Sequence, residues 1–234
     1  MLLTAPFIKF LHELYYASGS NSPNSFALWL YNKGMRSPLV VKWLFGMKVL
    51  SPQELSTYFK DNIPPIYFGL ATVLLKMVLK DKLRHSPDLK LLEIGVGAYA
   101  VLSGCISRRT TQTIDAIDID PTCVEYAKKH IDLNQVNVRV FQSNLFSNVP
   151  SCKYDLIFWN PPYEQDPYTY LPGLFREAPD FMSETSQLII IYNSKVLLQD
   201  TVLNILSNYE KLQVVEIKKW WWNIQDVVII NKKA

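Results

Sequence analysis

The feature that most constrains the fold is a series of short apolar runs that alternate with helix-like stretches from residue 89 to residue 230. Runs of this length, rich in Ile, Leu, Val and Phe, are typical of strands buried on both faces of a parallel sheet. The predicted strands are residues 89–94, 113–117, 138–141, 156–159, 188–192, 212–217 and 227–230. The last two are too close for an intervening helix, so we expect them to pair antiparallel. The sequence therefore predicts an α/β fold with a mostly parallel seven-stranded sheet and an antiparallel last strand.

The chain before this series has a different character. Three Ser-Pro pairs mark helix starts, because serine caps free N–H groups and proline suits the first turn. They are Ser22-Pro23, Ser37-Pro38 and Ser51-Pro52. Gly46 stands where the second of these helices should end, and residues 66–83 have the spacing of an amphipathic helix. We therefore divide the chain into a small helical N-terminal region, residues 1–62, and an α/β domain, residues 63–234.

The bulk properties exclude some classes of protein. The 24 basic and 21 acidic residues leave a net charge of only +3, far below that of a protein that holds a long nucleic acid by phosphate contacts alone. No apolar run approaches the roughly 18 residues of a spanning helix, so we expect no transmembrane segment. The N-terminal region is nonetheless rich in large apolar residues. We expect these to pack on the α/β domain or on a second subunit, as in a homodimer.

Cysteine usage indicates a reducing compartment. Cys105, Cys123 and Cys152 are widely spaced and form no C-x-x-C pair, which argues against a disulfide framework and against a zinc site. The three histidines show no spacing typical of metal ligands. We therefore expect a cytoplasmic protein with no bound metal.

A glycine-rich turn, Gly95-Val96-Gly97, follows the first predicted strand and precedes a predicted helix. Glycines let the backbone turn tightly and approach a ligand, while the helix offers unpaired N–H groups. Asp118 ends the second predicted strand, where a carboxylate can bind both hydroxyls of a ribose. Together the turn and the acid indicate a cofactor that contains adenosine. The competing interpretation is a plain loop turn beside a surface acid.

The fourth predicted strand ends in Asn160-Pro161-Pro162-Tyr163, at the edge where open α/β sheets place their active sites. Proline has no backbone donor and favours an extended residue before it, so the Asn160 side chain and the Pro161 carbonyl can both offer acceptors. Two acceptors would hold the hydrogens of an amide or aryl amine and stabilise the positive charge that grows on its nitrogen. Tyr163 would stack on the planar group. The motif therefore predicts methyl transfer to a planar nitrogen.

From Leu91 to Tyr163 the sequence resembles the amino-methylating branch of the class I, Rossmann-like methyltransferases, which includes the HemK-type glutamine methyltransferases and the methyltransferase small-domain family. The resemblance implies S-adenosylmethionine as the cofactor. Matched residue by residue, it implies cofactor contacts by Glu93, Gly95, Gly97, Asp118, Asn144 and Leu145 and catalytic contacts by Asn160, Pro161, Pro162 and Tyr163. In that family the first loop wraps the methionine part, the acid binds the ribose and the Asn144 position contacts the adenine.

Two positions depart from the family pattern. Tyr99 stands where the family usually has a third glycine, and its bulk would reshape the cofactor loop or reach the methionine end. Asn144 stands where the family usually has Asp; its amide oxygen still accepts from the adenine amino group, but without charge. We therefore expect cofactor binding that is weaker than in the family.

The predicted function is N-methylation of a protein glutamine amide or of the exocyclic amine of an RNA base. One alternative is a small-molecule N-methyltransferase whose apolar N-terminal helices close a lid. Another is a subunit that keeps the fold only to stabilise a partner; the intact Asn160 motif argues against it, while the altered Tyr99 and Asn144 support it. The N-terminal region is expected to serve in substrate recognition, as a lid or in oligomerisation.

Overall fold

A computed structural model of the chain describes residues 33–50, 67–162, 166–220 and 224–233. We number its strands and helices in chain order. They are α1 (Pro38–Phe45), α2 (Leu70–His85), β1 (Leu91–Ile94), α3 (Val101–Ile106), β2 (Ile114–Asp118), α4 (Pro121–Asn134), β3 (Val138–Gln142), β4 (Tyr154–Trp159), α5 (Pro167–Phe181), β5 (Met182–Asn193), α6 (Gln199–Leu206), β6 (Leu212–Lys219) and β7 (Gln225–Lys232). A short 3-10 turn, Ser107–Arg109, follows α3.

The seven strands form one sheet in the order β3-β2-β1-β4-β5-β7-β6. Strands β1 to β5 pair in parallel, while β7 runs antiparallel to both β5 and β6. The prediction of a mostly parallel seven-stranded sheet with an antiparallel last strand is therefore confirmed. The strand order reverses between β1 and β4, and at such a point the carboxyl ends of the strands leave a crevice for a ligand.

Helices cover both faces of the sheet. The apolar side chains of α2 and α3 pack on one face, with Leu91 and Leu156 of the strands, and α4 packs on the same side against Ala116. Helices α5 and α6 pack on the other face, with Leu92 and Ile157. Neighbouring residues of one strand thus reach opposite cores, which explains the unbroken apolar runs of the sequence.

Helix α1 shows the predicted Ser-Pro start. The Ser37 hydroxyl accepts a hydrogen bond from the N–H of Val40 at 3.4 Å, Pro38 opens the helix, and Gly46 ends it with a φ of 69°. The amine of Lys76, buried in α2, donates to the Leu44 carbonyl at 2.7 Å and so satisfies a free carbonyl in the last turn. The other two predicted helix starts, Ser22-Pro23 and Ser51-Pro52, and most of the proposed region 1–62 lie outside the described residues.

Residues 33–50 pack directly on the α/β domain. Val41, Phe45 and Met47 are buried with Tyr67 and Tyr99, so this segment covers the side of the glycine turn. Cys105, Cys123 and Cys152 are free thiols. Within the described ranges no helix has the length and apolar character that crossing a membrane requires.

Candidate active site

A cavity of about 570 Å³ opens at the carboxyl ends of β1, β2 and β4, where the strand order reverses. Most of the predicted site residues line it, namely Gly95, Asp118, Asn144, Leu145, Asn160, Pro161 and Pro162. Glu93 and Gly97 are not part of its lining, and Tyr163 lies outside the described residues. One cavity therefore brings together the glycine turn, the acid after β2, the loop after β3 and the motif after β4.

The turn after β1 requires glycine at two positions. Gly95 and Gly97 have φ values of 69° and 63°, in the left-handed region that other residues rarely adopt. A Cβ on Gly95 would also lie 3.0 Å from Nε1 of Trp159, whereas a Cβ on Gly97 would meet no atom within 4 Å. Trp159, which the sequence did not single out, therefore limits how closely the turn approaches the end of β4.

The Asp118 carboxylate holds the glycine turn in place. Its Oδ2 accepts from the N–H of Gly97 at 2.9 Å, and its Oδ1 accepts from the N–H of Asp120 at 3.1 Å. A carboxylate has about four acceptor sites, so each oxygen keeps capacity for a further donor. Asp118 thus has two tasks, since it positions the turn and presents acceptors to the cavity.

Glu93 points away from the cavity and into the helix layer. Its Oε2 accepts from the Ser103 N–H at 3.1 Å and from the Ser103 hydroxyl, so it ties β1 to α3. Burial raises the pKa of Glu93 well above its ordinary value, and the charge of Asp118 raises it further, while the Ser103 N–H opposes them. Glu93 thus joins the two elements on either side of the glycine turn. Its contact with the methionine part of a cofactor stays a prediction.

Tyr99 is buried behind the turn and is not part of the cavity lining. Its ring lies 4.7 Å from the ring of Tyr67 and 5.3 Å from that of His130, both at edge-on angles. The next residue, Ala100, takes the left-handed conformation with a φ of 45° at the start of α3. The bulk of Tyr99 is thus accommodated among aromatic rings beside residues 33–50.

The loop after β3 contains a strained residue, Leu145, with a φ of 47°. Ser143 holds it there, because its buried hydroxyl donates to the Leu145 carbonyl at 2.7 Å and accepts from the Asn148 N–H at 3.0 Å. Asn144 is exposed, and its side chain makes no hydrogen bond with the described residues. Ser143, which also lines the cavity, is therefore a site residue that no sequence motif marks. Strained backbone of this kind is common at ligand sites.

The first three residues of the motif after β4 differ in exposure. Asn160 and Pro162 are exposed and Pro161 is buried, and the Asn160 side chain makes no hydrogen bond within the described part of the chain. Trp159 and Tyr170 form the adjoining aromatic wall, with ring centroids 5.3 Å apart. The Asn160 amide is therefore free to bind a ligand group.

A metal ion would find few ligands here. The described ranges contain no group of three His, Cys, Asp or Glu side chains arranged to hold one. The expectation of a metal-free site stays a prediction.

Alanine at Gly95 should destabilise the protein more than alanine at Gly97. Each substitution forces a Cβ into left-handed backbone, at a cost of about 1–2 kcal/mol. Gly95→Ala also pushes a Cβ against Trp159, and such overpacking costs about 1–3 kcal/mol more. Urea unfolding of the ligand-free proteins measures the difference, with Gly97→Ala as the matched control. Equal losses would show that Trp159 does not limit the turn.

The sheet order, the glycine turn after β1 and the acid that ends β2 together define a Rossmann-like methyltransferase fold. Solved structures agree. A methyltransferase from Pyrococcus furiosus has a TM-score of 0.65 at 21% identity, covering 89% of this chain and 98% of that chain. The ribosomal protein L11 methylase from Lactobacillus delbrueckii has a TM-score of 0.59 at 18% identity, covering 71% and 81%.

Residues 70–221 match the methyltransferase small domain, and the chain belongs to that family. A Methanocaldococcus jannaschii protein described as a candidate protein N5-glutamine methyltransferase is 40% identical over 84 residues, 35% of this chain and 42% of that protein. Ribosomal protein L11 methyltransferase from Thermosipho africanus is 30% identical, covering 67% and 56%. Ribosomal RNA small subunit methyltransferase C from Haemophilus influenzae is 29% identical, covering 53% and 38%. The chain thus spans about half the length, or less, of these relatives.

Proposed function

We propose that this protein transfers a methyl group from S-adenosylmethionine to a planar nitrogen. The observation that carries the proposal is the single cavity lined by Gly95, Asp118, Asn144 and Asn160. It joins a turn with little room for a side chain, a carboxylate with free acceptor capacity, and an exposed amide. Membership in the methyltransferase small domain family supports the same chemistry.

The residues present fit this cofactor. Gly95 would let the backbone approach it, Asp118 would accept from two ribose hydroxyls, and Asn144 with Leu145 would contact the adenine. Asn144 has no competing side-chain bond among the described residues. When bound, S-adenosylmethionine supplies a methyl group made electrophilic by its sulfonium.

The chain's own contribution to the reaction is to hold and polarise the target nitrogen. An amide or aryl amine nitrogen is a poor nucleophile because its lone pair is delocalised. The Asn160 oxygen and the Pro161 carbonyl accept its two hydrogens and stabilise the positive charge that grows on it. Trp159 and Tyr170 exclude water from one side, and burial raises the pKa of Tyr170 to about 12, so its hydroxyl keeps its proton at neutral pH. Tyr163, which lies outside the described residues, is assigned the role of stacking on the planar group.

Two substrates fit this chemistry, the amide of a protein glutamine and the exocyclic amine of an RNA base. A relative named for protein glutamine methylation supports the first, and a relative named for ribosomal RNA methylation supports the second. A small-molecule substrate and a non-catalytic partner subunit are less favoured, because the Asn160 amide is exposed, lines the cavity and belongs to an uninterrupted motif.

The N-terminal region serves recognition, closure or assembly in this proposal. Leu39 of α1 is 78% exposed, which supports packing against another surface and a homodimer through the apolar helices. Free thiols at Cys105, Cys123 and Cys152 support a cytoplasmic location.

Transfer of a labelled methyl group tests the function. Purified protein with tritiated S-adenosylmethionine is expected to label a macromolecule in an extract of cells that lack this gene. Label that survives nuclease but not protease identifies a protein substrate, and the reverse pattern identifies RNA. The Asn160→Ala variant, incubated in the same way, serves as the blank that measures background labelling. No labelling above that blank in either fraction, or in the small-molecule fraction, would contradict the proposed activity.

A further inference from the structure

Five cationic side chains lie near one another on the helix-covered side of the sheet, away from the candidate active site. We call this group the basic band, and it consists of Lys42, Lys48, Lys80, Arg108 and Arg109. Lys80 is half-buried and the other four are exposed. Arg108 and Arg109 stand next to each other in the turn after α3 and join the remaining three.

Arg108 connects the band to the end of α1. Its Nη1 donates to the Gly46 carbonyl at 2.8 Å, which fixes the guanidinium beside the end of that helix. Lys42, Lys48 and Arg108 all line one open cavity of about 350 Å³, between α1 and the end of α4. Three positive charges therefore surround one concave patch of surface.

Arg109 connects the band to α2. Burial lowers the pKa of Lys80, and the positive charges of Arg109 and Arg84 lower it further. Lys76, buried one turn earlier in α2, has its pKa lowered by burial and also by Lys80 and Arg109. These cations are thus close enough to repel one another.

The band has no acidic counterpart in the described chain. No Asp or Glu oxygen of those residues lies within 4.0 Å of any of the five cations. Neighbouring like charges oppose folding, and a bound polyanion would remove that repulsion. A cluster of cations around a concave surface, without ion pairs among the described residues, is typical of an electrostatic docking site.

The band and the cavity lie at opposite edges of the sheet. Helix α3 runs back from the carboxyl end of β1, so Arg108 and Arg109 lie near the amino ends of the strands. The carboxyl edge has mixed charge, with Asp118 at the end of β2, Asp120 and Asp166 at the starts of α4 and α5, and Lys218 and Lys219 at the end of β6. The basic band is therefore a surface separate from the cavity.

We propose that the basic band binds the phosphodiester backbone of RNA and anchors the protein on an RNA-containing target. Regularly spaced phosphates suit a row of cations, and the two arginines offer planar forks that bind phosphate in a bidentate manner. The cations come from separate elements rather than from the polar face of one amphipathic helix, the usual arrangement at a membrane surface. The site goes beyond the proposed methyl transfer and is independent of which nitrogen is methylated.

Fluorescence anisotropy with a fluorescein-labelled single-stranded RNA of about 20 nucleotides tests the site on the full chain. The variant combines Lys42→Gln, Lys80→Gln and Arg109→Gln, and leaves Arg108 to hold α1. The control combines Lys128→Gln, Lys211→Gln and Lys233→Gln, three exposed lysines outside the band with the same change in net charge. We expect the variant to bind at least about tenfold more weakly, with the slope of log affinity against log salt reduced by about 2, and the control to bind within about twofold of wild type.

Three results would overturn the assignment: no RNA binding by the wild type at low salt, equal weakening in the control, or binding to phosphatidylserine vesicles in place of RNA. Thermal unfolding of each variant confirms that it is folded. No cofactor is present in this experiment, so its failure would leave the proposed methyl transfer intact, and failure of methyl transfer would leave RNA binding intact.

Discussion

Replacing Asn160 with alanine is expected to lower the turnover number by a factor of about 100 to 1,000, by analogy with the loss of one preorganised polar group in other enzymes. The side-chain oxygen would accept a hydrogen bond that strengthens as the target nitrogen becomes positive. Its loss therefore raises the energy of the transition state more than that of the bound substrate. Initial rates at saturating labelled cofactor measure the effect, and cofactor affinity should change little.

Replacing Asn160 should test catalysis without changing the stability of the protein. Because its side chain is exposed and forms no hydrogen bond with the described residues, the substitution should change the free energy of unfolding by about 0.5 kcal/mol or less. Asn204→Ala is the matched control, since Asn204 is an exposed amide on α6 that lines no part of the cavity. The control should keep the wild-type turnover number.

A second variant separates the two roles of the amide. Asn160→Asp keeps an acceptor, adds a negative charge and removes the N–H donor. It should retain activity between that of alanine and that of the wild type if accepting a hydrogen bond is the essential role. Wild-type turnover by Asn160→Ala would end the case for the nitrogen-methylation mechanism, although the fold would stand.

Strands β3 and β6, at the two edges of the sheet, are partly exposed. Much of the sheet could still be predicted because the inner strands are largely buried on both faces. Such strands appear as unbroken apolar runs, and each of the seven runs became a strand. The predicted strand ends differ from the observed ones where hydrogen-bonded pairing continues into polar residues. Strand β5 was expected from residue 188 but begins at Met182, because Met182 pairs with Tyr154 across an irregularity in the register. The intervening residues are polar, and the sequence gives no sign of that pairing.

Site residues could be predicted from the sequence where their positions follow from the ends of the predicted strands. The positions of Gly95 and Asp118 follow from the strand ends, and both line the cavity. Glu93 differs, because the tie to Ser103 depends on which face of β1 it occupies. The sequence contained a sign of this face, because Glu93 and Leu91 stand two residues apart and therefore share a face of the strand. Leu91 packs with the helices on that face. The strained turn at Leu145 had no such signal, because serine and leucine are ordinary loop residues.

Asp118→Ala is expected to abolish most of the thermal stabilisation by S-adenosylmethionine. A charged hydrogen bond contributes about 1.5–3 kcal/mol, so losing two to the ribose should weaken binding by a factor of about 100 or more. At a cofactor concentration of about 100 times Kd the wild type gains about 2.7 kcal/mol, whereas a variant that binds 100-fold more weakly gains only about 0.4 kcal/mol. Thermal midpoints with and without cofactor measure both gains.

The control for this experiment stands two residues further on. Asp120 caps α4 by accepting from the Thr122 N–H at 2.8 Å and is not part of the cavity lining. Asp120→Ala should therefore lower the midpoint of the free protein through a lost cap, at a cost of about 1 kcal/mol, yet keep the full response to cofactor.

Asp118→Ala should also lower the thermal midpoint of the free protein, because the carboxylate accepts hydrogen bonds from the N–H groups of Gly97 and Asp120. For each variant, the thermal midpoint with cofactor must therefore be compared with the midpoint of the same variant without cofactor. Asp118→Asn refines the test, since it keeps one acceptor oxygen but loses the charge and should show an intermediate shift. If Asp118→Ala responded to cofactor as the wild type does while Gly95→Ala did not, the glycine turn would still bind the ligand and the ribose contact would have to be assigned to another residue.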